Sequence, residues 1–117
     1  MPDLTIEQLQ QQLREFAAAR DWDQFHSPKN LSMALIAEAA ELVEHFQWLT
    51  EEQSRSLPET KRTEVEYELA DIFVYLLRLA DKLDVDLLKA AENKLKLNAE
   101  KYPADKVRGS AKKYTEY

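Results

Sequence analysis

Acidic side chains recur at a fixed spacing on two segments of the chain that are otherwise apolar. In LIAEAAELVEHFQW, residues 35–48, Glu38 and Glu41 lie three residues apart, and in YELADIFVYLL, residues 67–77, Glu68 and Asp71 repeat that spacing. On a helix, residues three apart are surface neighbours, so each segment offers a pair of carboxylates. Paired carboxylates bind divalent metal ions or transfer protons, and both are chemistry of hydrolysis.

A helical wheel places the two acid pairs at equivalent positions. With about 100° per residue, Glu38 lies at the border of an apolar face and Glu41 about 60° outside it. Glu68 and Asp71 have the same relation to the apolar face of their own helix, whereas Glu44 points nearly opposite to the apolar face of its helix. If the two helices pack along these borders of their apolar faces, four carboxylates meet at one helix interface.

Such a cluster needs a compensating cation. Four neighbouring carboxylates repel one another, and partial burial adds an effective cost of several kcal/mol per charge. Oxygen ligands without Cys or a nearby His favour Mg²⁺ or Mn²⁺, and Mg²⁺ keeps water positions that phosphate oxygens can take. Glu-x-x-His, which ferritin-like di-iron bundles require, does not occur in the chain. We therefore predict a divalent metal site that can bind the phosphate oxygens of a substrate.

The helices that carry these acids are expected to belong to an all-α fold. The chain has one glycine and four prolines, too few for the turns of a sheet protein, while helix-forming residues are plentiful. Ser27, followed by Pro28, is typical of a helix start, and Pro103 of a helix end. The predicted helices run from about Thr5, as N-cap, to Asp21, from Ser27 to Leu49, from Glu59 to Leu83, and from Asp84, as N-cap, to Tyr102.

Length and composition limit the class of protein. We expect 117 residues to form a single domain, with residues 104–117 as a basic, mobile tail. No stretch approaches the roughly 20 apolar residues of a membrane span, and there is no cysteine and no signal peptide, so we expect a cytoplasmic protein without a membrane partner. The net charge of −6 disfavours binding to long nucleic acid. Residues 94–113, with seven Lys or Arg, could still bind a small polyanion.

The two acidic motifs resemble those of a known enzyme family. AEAAE followed by ELAD resembles the E-x-x-E and E-x-x-D signature of the MazG-like, all-α nucleoside triphosphate pyrophosphohydrolases. The segments RDWDQFHSPKNL, ELVEHFQW, ELADIFVYLL, NKLKLNAEKYP and GSAKKYTEY are more specifically similar to the dCTP pyrophosphatase branch, over most of the chain. Ala37 departs from many MazG-like proteins, which have a further acid there, but all four ligand positions are retained.

The resemblance implies a fold, an assembly and a reaction. It implies a four-helix bundle-like protein that forms a homodimer or a homotetramer made of two dimers. The implied activity is Mg²⁺-dependent hydrolysis of a nucleoside triphosphate, dCTP or a modified dCTP, to the monophosphate and pyrophosphate. By alignment of the motifs, Glu38, Glu41, Glu68 and Asp71 become the catalytic metal ligands.

The same resemblance implies a pocket for the base made of Trp22, His26, Trp48 and Tyr75. Trp48 and Tyr75 each lie seven residues after an acid, about 10 Å along a helix. If the two central helices are antiparallel, however, these aromatic residues lie at opposite ends of the acid cluster, with Trp22 and His26 at the Tyr75 end. A second chain would then have to complete the pocket.

Further nucleotide contacts are expected from the C-terminal part. Lys94 and Asn98 are one helical turn apart, and Tyr102 closes that helix; in the dCTP pyrophosphatase branch these positions contact the nucleotide. By their charge, the tail residues Arg108, Lys112 and Lys113 are expected to fold over the triphosphate.

Two alternatives stay open from the sequence. The same fold could act on dUTP or another non-standard nucleotide. Alternatively, the chain could be a non-catalytic helical oligomerisation module whose acids form salt bridges with a partner chain. No glycine-rich phosphate loop is present, which argues against a P-loop nucleotidase.

Overall fold

The structure, a computed structural model, describes residues 2–111 and 114–116, and all regular elements within them are helical. The all-α prediction is confirmed. Among the described residues, no helix combines the length and the apolar character that crossing a bilayer requires. The α-helices are α1 (Ile6–Ala19), α2 (Pro28–Glu44), α3 (Glu51–Ser54), α4 (Glu59–Lys82), α5 (Leu87–Lys101) and α6 (Ala104–Val107), with 3₁₀ helices at Asp23–Phe25 and Tyr114–Glu116.

The chain divides into two compact units, Met1–Asp84 with α1 to α4 and Val85–Tyr117 with α5 and α6, and each is described by itself. Whether the whole chain folds as one domain stays a prediction.

The predicted starts of the first two long helices are confirmed by their caps. The Thr5 hydroxyl accepts from the Gln8 amide at 3.1 Å, and the Gln8 side chain accepts from the Thr5 amide at 2.9 Å. This capping box satisfies two amides that would otherwise lack partners. Ser27 accepts from the Asn30 amide at 3.1 Å, with Pro28 at the first helical position.

The predicted end of α2 is wrong. The helix ends at Glu44 rather than near Leu49, because the backbone tightens into turns with hydrogen bonds to the third preceding residue. The Phe46 amide donates to the Val43 carbonyl, and the Leu49 amide to the Phe46 carbonyl, both at 2.9 Å. The connection predicted as irregular then contains the short helix α3. Trp48 therefore lies on a turn and not on the stripe of α2.

The predicted cap of the last long helix is also wrong. Asp84 has φ of 55°, in the left-handed region, so it ends α4 rather than starting the next helix. Asp86, in an extended conformation, is the actual N-cap of α5, and its carboxylate accepts from the Lys89 amide at 3.1 Å. The end of α5 before Pro103 is as predicted.

Helices α2 and α4 pack against each other in opposite directions and form the main helix contact of the first unit. His45, directly after α2, lies 3.3 Å from the amine of Lys61 near the start of α4. His26, just before α2, lies 3.1 Å from the guanidinium of Arg78 near the end of α4. The two pairs therefore occur in reverse order along the two helices, which makes them antiparallel.

The buried core of the first unit is small. Several large apolar residues of α2 and α4 are exposed, among them Val43, Leu69 and Phe73. The buried apolar residues are Ala17, Leu31, Val65, Leu77 and Ala80.

Candidate active site

Three of the predicted carboxylates converge at the interface of α2 and α4. Glu38 and Glu41 come from α2 and Glu68 from α4, and one carboxylate oxygen of each lies within 4.8 Å of the other two. The side chains of Glu38 and Glu68 are half-buried, whereas Glu41 is exposed. The edge-to-edge packing that the helical wheel predicts thus brings acids of the two helices together.

The electrostatics of this cluster are unfavourable without a positive charge. One oxygen of Glu38 and one of Glu68, both Oε2, are buried and have no hydrogen-bond partner among the described residues. Burial, followed by the interactions with Glu41, Glu68 and Asp71, raises the pKa of Glu38 from 4.5 to about 7. The cluster therefore resists full ionisation unless a cation binds.

Asp71 lies beside the cluster rather than within it. It follows Glu68 by one turn of α4, is exposed, and contributes charge that raises the pKa of Glu38. Asp71 is not among the three residues whose oxygens converge. It does share a cavity with Glu38, so the fourth predicted acid reaches the same region.

The donor set fits a divalent metal ion. All the converging atoms are carboxylate oxygens, the ligands preferred by hard cations, and two of these residues carry a buried oxygen that lacks a donor. A bound cation would satisfy these oxygens and offset the repulsion. Glu38, Glu41 and Glu68 are the residues placed to hold such an ion, with Asp71 adjacent.

A cavity of about 170 Å³ adjoins the carboxylates. It contains three of the four predicted base-pocket residues, Trp22, His26 and Tyr75, together with Glu38 and Asp71. Five further lining residues were not predicted to belong to the site. They are Leu13, Phe16, Ala17, Val74 and Arg78.

The sequence contains little information that would have assigned these five residues to the cavity. Leu13, Phe16 and Ala17 are on the apolar stripe of α1, which predicts burial but does not distinguish a solid core from a cavity wall. Phe16 packs edge-on against Trp22 with ring centroids 5.8 Å apart, so α1 supports one of the predicted aromatic residues. Arg78 follows Tyr75 by three residues on α4, and that spacing is the only sequence signal for its place in the cavity.

Trp48 is not brought to this cavity. Its side chain is 86% exposed, and it lies on the turn after α2. Because α2 and α4 are antiparallel, this turn is at the end of the helix pair opposite to His26 and Tyr75. Trp48 and Tyr75 therefore lie at opposite ends of the acid cluster, as expected from the sequence for antiparallel helices.

The polar end of the cavity is organised around Arg78. Its side chain is only 4% exposed, and its Nη2 donates to Oδ1 of Asp23 at 3.0 Å and approaches Nδ1 of His26 at 3.1 Å. Lys82 also donates to Asp23. Burial, and then the charge of Arg78, lowers the pKa of His26, so that its imidazole is neutral near pH 7.

The predicted nucleotide contacts of the second unit stay predictions. On α5, Lys94 is exposed and Asn98 half-buried, and the carbonyl of Asn98 accepts from the Tyr102 amide at 2.8 Å. Arg108 follows α6 and is exposed. Lys112 and Lys113 lie outside the described residues.

The sequence and the fold are similar to those of known proteins. A sequence model of the MazG-like family matches residues 33–117. The chain is 44% identical to dCTP pyrophosphatase 1 of Mus musculus and 42% identical to that of Homo sapiens, in each case over 98% of this chain and 69% of the relative. A crystal structure of a pyrophosphatase from Archaeoglobus fulgidus is similar with a TM-score of 0.81 and 38% identity, covering 88% of this chain and 96% of that one.

These matches cover different parts of the site. The family match includes the four predicted metal ligands but begins after Trp22 and His26. The similarity to the mammalian proteins extends over almost the whole chain and so includes the segment with Trp22 and His26. The similarity to the dCTP pyrophosphatases therefore includes the segment before α2 that lines part of the cavity.

Proposed function

The chain belongs to the MazG-like family, and on that premise we propose that it hydrolyses dCTP to dCMP and pyrophosphate, with Mg²⁺ held by Glu38, Glu41, Glu68 and Asp71. The relatives at 44% and 42% identity are named for dCTP pyrophosphatase activity. A catalytic role therefore has support that the alternative of a non-catalytic oligomerisation module lacks.

The observation that carries the proposal is that acidic side chains and aromatic side chains line the same cavity. Glu38 and Asp71 line the same space as Trp22, His26 and Tyr75. An engineered cavity of about 150 Å³ binds benzene, so a volume of about 170 Å³ suits one heterocyclic ring. With the base in the cavity, the triphosphate extends toward the carboxylates.

The carboxylates of the cluster have two proposed roles in hydrolysis, which are to hold the metal ion and to accept a proton. When bound, Mg²⁺ supplies a Lewis acid that stabilises negative charge on phosphate oxygens and acidifies water. Water attacks the α-phosphorus, the bond from this phosphorus to the oxygen bridging to the β-phosphorus breaks, and pyrophosphate leaves. A carboxylate takes the proton of the attacking water, and we assign this role to Glu41 because it is exposed and can pass the proton to solvent.

The base is held by aromatic and polar contacts. Trp22, Tyr75 and His26 line the cavity, and we propose that a pyrimidine stacks on the two aromatic rings and hydrogen-bonds to a ring nitrogen of His26. On α5 and beyond, Lys94, Asn98, Tyr102 and Arg108, with Lys112 and Lys113 of the tail, are proposed to contact the nucleotide and its phosphates.

The active form is proposed to be a homodimer or a pair of dimers. Met33, Ile36 and Val43 on α2 and Leu69 and Phe73 on α4 are exposed in the single chain. Exposed apolar side chains concentrated on packed helices are typical of a protein interface. We propose that a second copy covers them and contributes its own Trp48, which is exposed in the single chain, to the base pocket.

A competition experiment tests the substrate. The purified chain with MgCl₂ is given equal concentrations of dCTP, 5-methyl-dCTP, dUTP and dTTP, and the monophosphates and pyrophosphate are quantified by ion-exchange chromatography. We expect the cytosine nucleotides to have the highest kcat/KM and the products to be monophosphate and pyrophosphate in equal amounts. Preference for dUTP would contradict the substrate but not the site, and no pyrophosphate from any nucleotide would overturn the enzymatic proposal.

A further inference from the structure

The guanidinium of Arg78 contacts one ring nitrogen of His26, Nδ1. Nε of Arg78 donates to Nδ1 of His26 at 3.3 Å, and Nη2 of Arg78 lies 3.1 Å from the same nitrogen. The guanidinium is itself held by Asp23, whose Oδ1 accepts from Nη2 at 3.0 Å. At 4% exposure Arg78 has little freedom to take another position.

This contact determines where the imidazole proton resides. An arginine side chain carries five N–H donors and no acceptor, and it stays charged in proteins. Nδ1 of His26 must therefore be the acceptor and carry no proton, and the proton of a neutral imidazole is then on Nε2. Among the described residues Nε2 has no hydrogen-bond partner, and His26 lines the cavity.

We propose that Arg78 is a positioning residue that holds His26 as the tautomer with its proton on Nε2, so that His26 offers the nucleotide base a hydrogen-bond donor and no acceptor. The identity of the base rests on the proposed function. At the edge that distinguishes pyrimidines, N3 of cytosine is an acceptor, whereas N3 of uracil carries a proton. A histidine restricted to donation pairs with the first and opposes the second.

The charged groups around His26 indicate what happens without the guanidinium. Asp23 and Lys82 are the other charges that act on the imidazole. If Arg78 is replaced by Met, the carboxylate of Asp23 becomes the strongest polar neighbour on the Nδ1 side and favours a proton there. The ring can then accept through Nε2, which removes the restriction.

Besides Asp23, Arg78 contacts Asp81, with Nη1 3.9 Å from Oδ2. The variant is expected to fold because both carboxylates keep another cation. Asp23 keeps Lys82, and Asp81 keeps Arg14, whose Nε and Nη2 bind it at 2.7 and 2.8 Å. Arg14→Met is the matched control, since it removes an arginine that pairs with a carboxylate at the same end of α4 but has no contact with His26. Arg78→Lys is the conservative variant, because lysine is also a donor-only cation.

Nitrogen NMR of the imidazole decides the tautomer without any substrate. The chain has two histidines, so His45→Gln in ¹⁵N-histidine-labelled protein leaves the signals of His26 alone. At neutral pH we expect unprotonated Nδ1 and protonated Nε2 in this background, in Arg14→Met and in Arg78→Lys. In Arg78→Met we expect the Nδ1 signal to move toward the protonated range. A protonated Nδ1 in the background protein, or an Nδ1 signal that Arg78→Met leaves unchanged, would overturn the proposal.

Kinetics test the consequence for the base. For Arg78→Met we expect KM for dCTP to rise about tenfold, as for the loss of one well-placed hydrogen bond, and KM for dUTP to fall, with both kcat values changed less than about twofold. An unchanged ratio of the two KM values would overturn the discrimination by His26. If the parent protein hydrolyses no nucleotide, the proposed function fails, while the NMR result still decides the role of Arg78.

Discussion

A carboxylate oxygen of Glu38 on α2 lies within 4.8 Å of one of Glu68 on α4, and each residue has a buried oxygen without a hydrogen-bond partner among the described residues. Two acids in this relation destabilise the interface that brings them together unless a proton or a cation is shared between them. The contact is therefore costly to the fold by itself and useful when a metal ion is bound.

Neutralising the cluster is expected to abolish turnover. Glu38→Gln and Asp71→Asn each remove a charge that the metal and the phosphates require, and we expect kcat to fall roughly a hundredfold or more. Glu44→Gln, on the outer side of the same helix as Glu38, is the control and is expected to keep full activity. Pyrophosphate release gives the rates, and circular dichroism checks that helicity is retained. Full activity in both variants would show that the site is elsewhere.

Magnesium is expected to stabilise the folded chain. An ion that binds only the native cluster adds about 2.7 kcal/mol to the free energy of unfolding at a free concentration 100 times its Kd. Thermal unfolding with MgCl₂ and with EDTA measures this gain, which Glu38→Gln combined with Glu68→Gln should remove. Acids engaged in salt bridges to a partner chain would show no such gain, so equal melting temperatures in both buffers would support the non-catalytic alternative.

Without metal, the chain is expected to lose stability as the pH rises from about 4.5 to about 7. The folded state raises the pKa of Glu38 from 4.5 to about 7, so in this window it keeps a proton that the unfolded chain has released. Since the folded state binds more protons there, the free energy of unfolding falls with pH. Urea unfolding in EDTA at several pH values measures the slope. Glu38→Gln should flatten it and Glu44→Gln should not.

Charge on the exposed surface of α2 is expected to dissociate the assembly. Ile36 is 67% exposed in the single chain, and the proposed second copy covers it. Ile36→Glu would bury an unpaired charge at that interface, so sedimentation analysis should show a shift to monomer. Gln12→Glu, on exposed α1, is the control and should leave the mass unchanged. A parent chain that sediments as a monomer would refute the proposed assembly.

Removing Trp48 is expected to weaken nucleotide binding without weakening the fold. At 86% exposure its side chain contributes little to the packing of its own chain, whereas stacking on a base is worth about 1–3 kcal/mol. We expect Trp48→Ala to raise KM for dCTP about tenfold or more and to leave the urea midpoint unchanged. Unaltered KM would remove Trp48 from the base pocket.

The parts of the fold that were predictable from the sequence depend on neighbouring residues. The caps at Thr5 and Ser27 are hydrogen bonds to an amide three residues on, and the acid pairs are one helical turn apart, so both are read directly from spacing. The predictions that α2 reaches Leu49 and that Asp84 caps α5 were wrong, because both depend on the geometry of the turns that follow α2 and α4.

The sequence by itself determined an all-helical chain and the matched carboxylate pairs, since helical periodicity and side-chain spacing are local properties. Only the tertiary structure decided that α2 and α4 run antiparallel, that Trp22, His26 and Tyr75 meet the acids in one cavity, and that Trp48 does not. It also decided the contact of Arg78 with His26, 52 residues apart. No local pattern encodes such a pairing, because it depends on how the apolar faces of separate helices pack against one another.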